Sequence, residues 1–319
     1  MKREIVFIMS FPWFSLYQRP HHIAHYFKMT GYSVKVIEFR YPIRLNSLLN
    51  CMKFAEHKLD ADFICSVTKY PFLDRLARLR FLKCIKNTLN NDAQETERLI
   101  WLQGIDVSID YNEIPAFKKY KTILDISDSF PDFSSNPEVK QRIEMKEKEA
   151  AEKASIVLAA SDMLYCKFKK YNPNTFLVRN GVDFQQYRSL TMAPDAELAE
   201  KIDRICSSRV IGYQGVISKR IDFDLLEAVI KNSPELTFLF LGMVDIRTRK
   251  RLNILSRERN FHYIGAINHF ILPWVLSKID VGIIPFKIND LTMATNPIKL
   301  YEYLAAGKPV VATPIPEVL

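Results

Sequence analysis

Short apolar runs recur along the whole chain, each followed by a segment long enough for a helix, and no other feature constrains the fold as much. Strands that alternate with helices lie parallel, and a parallel sheet must be covered by helices on both faces. The runs at 4–9, 33–39, 99–102, 122–125, 156–160 and 176–178 predict one such sheet. Those at 209–213, 236–241, 262–264, 281–285 and 309–312 predict a second. Between the sets, 185–208 lacks strand character and contains Met192-Ala-Pro-Asp195. The expected organisation is a Rossmann-like domain over 1–190, a linker over 191–208 and a second Rossmann-like domain over 209–319. A length of 319 residues suits two cores better than one. Doubly wound sheets of this kind bind ligands outside the carboxyl ends of their strands, so the loops there are the places to search.

Charge and cysteine usage narrow the class. The chain has 45 Lys and Arg against 36 Asp and Glu, a net charge of +9, which favours anionic partners such as phosphates, nucleic acid or a membrane surface. Cys51, Cys65, Cys84, Cys166 and Cys206 are scattered without a CxxC pair. Neither a disulfide framework nor a zinc knuckle is expected, and a reducing cytoplasm fits best. No run approaches the roughly 18 apolar residues of a membrane span, and 5–9 is too short for a signal peptide.

Several stretches carry candidate chemistry. The block 296–311, NPIKLYEYLAAGKPVV, reads as a helix with Asn296 as its cap, Pro297 in its first turn and Gly307 as its stop, followed by a buried strand. Helical periodicity puts Lys299, Glu302, Tyr303 and Ala306 on one face, and Ile298, Tyr301, Leu304 and Ala305 mostly on the other. In 210–220, Gly212 and Gly215 precede Lys219 and Arg220, a strand–loop–helix passage suited to a diphosphate, although it is neither a GxGxxG fingerprint nor a Walker loop. Gly242 and Gly265 repeat the strand-then-glycine device. Asp60-Ala-Asp62 and Asp222-Phe-Asp224 are DxD triplets, the second placed where a carboxylate serves a helix start without any metal. His21 and His25 share a helix face, but no third zinc ligand is indicated. Trp13, Phe14, Tyr17, Gln18 and Arg19 form an aromatic loop after the first strand, which either lines a cleft or packs on the sheet. Asp125 and Asp128 stand at another strand end, as hydroxyl ligands or as turn residues. Arg75, Arg78, Arg80, Lys83 and Lys86, interleaved with leucines and Ile85, make either a peripheral membrane face or a solvated basic one.

The stretches PWFSLYQRPHH (12–22), RNGVD (179–183), VIGYQG (210–215), DVGIIPF (280–286) and the 296–311 block resemble GT-B-fold glycosyltransferases of the group that builds bacterial surface polysaccharides, teichuronic-acid-type enzymes included. The resemblance implies two Rossmann-like domains facing across a cleft, a nucleotide-sugar donor held mainly by the second, and an acceptor, a cell-envelope glycan or a lipid-linked one, held mainly by the first. It implies a uridine or guanosine diphosphate donor as substrate, no cofactor, no bound metal, no nucleic-acid partner, and a cytoplasmic place at the inner face of the membrane. By position, Glu302 matches the glutamate that accepts hydrogen bonds from ribose, and the amides near Asn296, Pro297 and Ile298 match the diphosphate contacts. Lys219 or Arg220 matches the cation opposite the phosphates, and Ala266, Ile267 and Asn268 the base-binding turn. Gly215 and Gly242 complete the expected donor loops. Lys299, Asp128 and Arg19 are the expected catalytic residues, and Trp13, Tyr17, Gln18 and Asp125 the expected acceptor side.

The chain also departs from that pattern. Many retaining relatives carry a glutamate eight positions before Glu302, where this chain has Ala294. A glycine-rich first loop is replaced by the aromatic one. The segment after 312 reads as the start of another connection, so the closing strand and crossover helix of such proteins are expected to be missing. A nucleotide-sugar epimerase and a catalytically silent sugar-nucleotide-binding module remain as alternatives.

Overall fold

The computed structural model describes residues 2–9, 13, 17–40, 61–68, 74–90, 96–104, 114, 116–189 and 192–319, with the backbone alone at 39, 40, 63, 65–68, 74, 75, 90, 116 and 117. Phe14, Cys51 and Asp60 lie outside the described residues, as do the side chains of Cys65 and Arg75. The chain divides into two units, Met1–Arg179 and Asn180–Leu319.

The first unit is built on β1 (Lys2–Met9), β2 (Ser33–Arg40), β3 (Phe63–Thr68), β4 (Thr96–Gln103), β5 (Lys121–Ile126), β6 (Ile156–Ala159) and β7 (Thr175–Leu177). They form one sheet in the order β3-β2-β1-β4-β5-β6-β7, with every pairing parallel. In β1, Ile5, Val6, Phe7, Ile8 and Met9 are all buried, because helices cover both faces of a central parallel strand. β3 escapes the sequence reading. Its apolar residues are interrupted by Cys65 and Ser66, and an edge strand needs only one neighbour to satisfy it.

The second unit holds β8 (Val210–Gln214), β9 (Thr237–Leu241), β10 (Phe261–Tyr263), β11 (Val281–Ile284) and β12 (Val310–Ala312), parallel in the order β10-β9-β8-β11-β12. The strand order reverses between β8 and β11, which makes the gap between their carboxyl ends the switch point of this sheet.

The division at Arg179 and Asn180 falls ahead of the expected position at 190. Most of the expected linker is also structured. Asp195 caps the helix Ala196–Ile205 by accepting from Leu198 N at 2.9 Å, and Ile202 joins the core of the second unit, as does Tyr187 from the helix Phe184–Ser189. Single buried side chains four or more residues apart carry little periodic signal, so composition reads this stretch as a connection.

Both DxD triplets have structural partners. Asp62 accepts from Val34 N at 2.8 Å, and Asp222 caps the helix Phe223–Asn232 by accepting from Asp224 N and Leu225 N. Among the described residues no group of three or more His, Cys, Asp and Glu gathers as a metal ion needs, and no helix is long and apolar enough to cross a membrane. Contrary to the cysteine reading, Cys84 is disulfide-bonded.

Candidate functional site

The faces of the helix Ile298–Ala305 are sorted as its periodicity requires, and the one that carries Lys299 and Glu302 is the buried one. Lys299, Glu302 and Tyr303 are the buried residues, and Leu304 is 57% exposed. The polar face therefore turns inward. It can come close because β11 has a glycine beneath it: a Cβ on Gly282 would lie 2.5 Å from Cγ of the Tyr303 ring. The Tyr303 hydroxyl accepts from Gln214 N at 3.1 Å and donates to Gly212 O at 3.3 Å, so the helix is bolted to the end of β8.

This docking delivers Lys299 and Glu302 to the switch point. The Lys299 ammonium lies over the rings of Tyr213, at 5.4 Å, and Phe286, at 4.8 Å, from the ends of β8 and β11. A Cβ on Gly215 would meet Lys299 Nζ at 3.4 Å. The Glu302 carboxylate accepts from the Tyr187 hydroxyl at 3.2 Å on Oε1 and from Gln214 Nε2 on Oε2, while His269 Nδ1 stands 3.9 Å from Oε1. Burial pushes the Glu302 carboxyl up to about 6, against the pull of Lys299 and of the two hydrogen bonds.

The glycine loops close around this point. Gly242 has φ +132°, and a Cβ there would fall 2.0 Å from the carbonyl oxygen of Gly215. Its amide donates to Gly265 O at 2.8 Å, so the Gly242 loop touches both of the others. Of the expected base-binding turn, Ala266 is exposed, Ile267 packs against the core, and Asn268 caps the short turn His269–Ile271. Lys219 is exposed and acts on Asp245, whereas Arg220 is half-buried and acts on Tyr213.

Asn296 does not cap the helix. Pro297 occupies that position, and the Asn296 side chain is spent elsewhere. Its Oδ1 accepts from Asn180 N at 3.0 Å, and its Nδ2 donates to Tyr301 Oη at 3.0 Å and to Glu317 Oε2 at 2.8 Å. Asn180 Nδ2 in turn donates to Asn296 O at 2.6 Å. These partners, two of them distant in sequence, take the place of a local cap, and they leave the amides of Ile298 and the following turn to mark the helix start.

In the first unit the structure joins two residues that sequence placed in different roles. Arg19 Nε donates to both oxygens of Asp125, at 3.0 and 2.9 Å, and Arg19 Nη1 donates to Arg179 O at 3.1 Å. Arg19 is 8% exposed and Asp125 is fully buried, where desolvation pushes its carboxyl up against the pull of Arg19. An Arg held this way serves the architecture of the β1 and β5 ends. Trp13 does not line a cleft: it is 1% exposed, packs on Phe7 and His21, and donates its amide to Glu38 Oε2. His21 is buried too, unlike the exposed His25. Its Nδ1 accepts from Gln18 N at 3.0 Å, so its Nε2 carries the proton and donates to Trp13 O at 2.7 Å. Tyr17 stacks on His21 with ring centroids 5.1 Å apart, and Tyr17 and Gln18 are half-buried. Asp128 is half-buried ahead of the turn Phe130–Phe133, and its carbonyl oxygen accepts from Phe130 N at 3.1 Å.

Sequence reasoning missed Tyr187, Gln214 and His269. Gln214 had a signal, a polar residue closing the apolar run of β8. Tyr187 had none, because its partner lies over a hundred residues away.

Residues 208–319 match the family of glycosyl transferases group 1. Over 169 residues the chain is 30% identical to TuaH of Bacillus subtilis (strain 168), named as a teichuronic acid biosynthesis glycosyltransferase. That match covers 52% of this chain and only 42% of the relative's length. HepE of Anabaena, solved with UDP and glucose, superposes with a TM-score of 0.68 at 17% identity, over 99% of this chain and 82% of that one. Sucrose-phosphate synthase of Thermosynechococcus elongatus superposes with a TM-score of 0.70 at 15% identity, over 98% and 82%. The chain thus has the GT-B fold of two parallel-sheet α/β units.

Proposed function

We propose that this chain transfers a sugar from a uridine or guanosine diphosphate donor to a cell-envelope glycan or lipid-linked acceptor. One observation carries the reading. Lys299 and Glu302 are buried side by side at the switch point of the second sheet, where a scaffold helix would place apolar residues. Burying a charge costs several kcal/mol, and replacing such groups by well-packed apolar side chains is often neutral or stabilising. Their retention at a ligand-binding position fits a ligand with hydroxyls for the carboxylate and negative charge for the ammonium. A nucleoside diphosphate has both.

In this reading Glu302 accepts hydrogen bonds from ribose. Lys299, one turn nearer the helix start, meets charge that grows as the diphosphate leaves, in a pocket walled by Tyr213 and Phe286. Lys219, Arg220 and helix amides add to that neutralisation, which supports a reaction without a bound metal. The likeness of the 296–311 block to retaining enzymes supports retention, and Ala294, buried where such enzymes carry a carboxylate, weighs against it. Arg19 holds Asp125 rather than reaching the reacting atoms, and Asp128 stays as the acceptor-side candidate of the first unit. The inner face of the membrane is the proposed place of action, with the disulfide at Cys84 as the feature that stands against a fully reducing compartment.

Product analysis with UDP- and GDP-sugars tests the reading. Transfer releases the free nucleotide together with a glycosylated acceptor, and continues in excess chelator. Recovery of an intact, inverted-at-one-centre nucleotide sugar would show an epimerase instead, and binding without any nucleotide release would show a silent module.

A further inference from the structure

A glutamate reaches its ligand on three torsions, the last of them broad, so an unrestrained carboxylate presents no fixed pair of acceptor sites. Glu302 is not unrestrained. Tyr187, on the helix Phe184–Ser189, donates to Oε1, and Gln214, the last residue of β8, donates to Oε2. Tyr187 is 3% exposed and Gln214 is 7% exposed, so both bonds are sheltered from water. Each carboxylate oxygen has about two acceptor directions, and one bond to each leaves one direction per oxygen. That remainder matches two vicinal hydroxyls.

We propose that Tyr187 and Gln214 are positioning residues for the donor: they hold the Glu302 carboxylate in the one orientation that receives both ribose hydroxyls. The proposal rests on the reading of Glu302 as the ribose acceptor. It also explains why the short helix after Arg179 belongs to the second unit. Asn180 is fastened to Asn296 just before the Ile298–Ala305 helix, and Tyr187 to Glu302 within it, so the segment 180–187 braces the loop and helix that carry the donor contacts. Preorganisation of this kind raises affinity by removing the cost of ordering the side chain on binding.

The two bonds also stabilise the charged form of Glu302, and this gives a readout that a merely structural tyrosine would not move. Lys299 on the same helix, Tyr187, His269 across the pocket and Tyr303 beside it are the titratable groups that face the carboxyl. Of these only Tyr187 loses its polar atom in Tyr187→Phe. Removing that bond leaves burial less opposed, so Glu302 takes up its proton at a higher pH. Ribose then meets a protonated carboxyl sooner as the pH falls.

The experiment is titration of UDP, with GDP as a second probe, into the wild-type chain, Tyr187→Phe, Gln214→Leu and Glu302→Gln across a range of pH. Tyr187→Phe and Gln214→Leu are expected to weaken nucleotide binding roughly 3- to 10-fold at neutral pH and to shift its acid limb upward by about half a unit or more. Thermal midpoints recorded in parallel identify a variant that fails to fold, and the other variant then decides. In Glu302→Gln only the limb that belongs to the nucleotide's own terminal phosphate should remain. If Glu302→Gln weakens binding but Tyr187→Phe and Gln214→Leu leave both affinity and limb unchanged, the positioning role is wrong and the ribose reading stands. If Glu302→Gln itself binds like wild type, or neither nucleotide binds the wild-type chain, the ribose reading falls and the positioning role with it.

Discussion

Lys299 shows how a side chain's cost can reveal its use. Its four-carbon stem lies along Gly215, and its ammonium sits over two aromatic faces, so the charge is partly compensated before any ligand arrives. Lys299→Met keeps the stem and the packing and removes only the charge. If the ammonium meets charge developing on the leaving diphosphate, kcat should fall by roughly 10²- to 10³-fold with little change in the donor KM. A change confined to KM would assign Lys299 to ground-state binding instead, and measured steady-state constants decide between them. At this scale the sequence was partly readable. Helical spacing put Lys299, Glu302 and Tyr303 on one face, and burial confirms that grouping. Direction was not readable, because periodicity says which residues share a face and not which face a neighbouring glycine admits. Arg19 and Asn296 look available locally, yet each bonds to a residue distant in sequence, and Trp13 is buried against Phe7 and His21.

The helix Asp74–Asn90 is the element whose sequence left two faces intermingled. The structure separates them. Ala77, Phe81, Leu82, Ile85 and Leu89 turn inward, while Leu76, Leu79, Arg80, Lys83 and Lys86 lie outward. Leu76 is 43% exposed and Leu79 is 56% exposed, beside the three cations. Apolar side chains that insert between lipid headgroups, flanked by charges that attract anionic ones, are what a peripheral membrane face requires. On this basis the chain should co-sediment with vesicles containing anionic lipid and not with neutral ones. Arg80→Glu, Lys83→Glu and Lys86→Glu together should lower that binding at least about 100-fold, at roughly 1 kcal/mol per cation. Equal sedimentation with neutral vesicles, or no effect of the triple variant, would leave the stripe as a solvated surface. The sequence could not make this separation because Leu and Arg repeat at short spacings around a 3.6-residue period, and only the sheet beneath selects the inner side.

Taken whole, the molecule was legible where burial is two-sided. Central parallel strands carry continuous apolar runs, so β1 and β4 of the first sheet and β8, β9 and β11 of the second stood out. The edge strand β3 did not, nor did the division at Arg179, which depends on which core Tyr187 and Ile202 join. The resemblance named the fold and the Glu302 position, yet the brace of Tyr187 and Gln214 behind it required coordinates. The account's central claim is that the buried polar face of the Ile298–Ala305 helix is a nucleoside diphosphate site. Calorimetric titration of UDP and GDP at neutral pH into the wild-type chain and Glu302→Gln tests it most directly. A charge-assisted hydrogen bond is worth about 1.5–3 kcal/mol, so the variant should bind roughly 10- to 150-fold more weakly while keeping its fold. Equal affinity in the two proteins would contradict the claim and return the helix to scaffold.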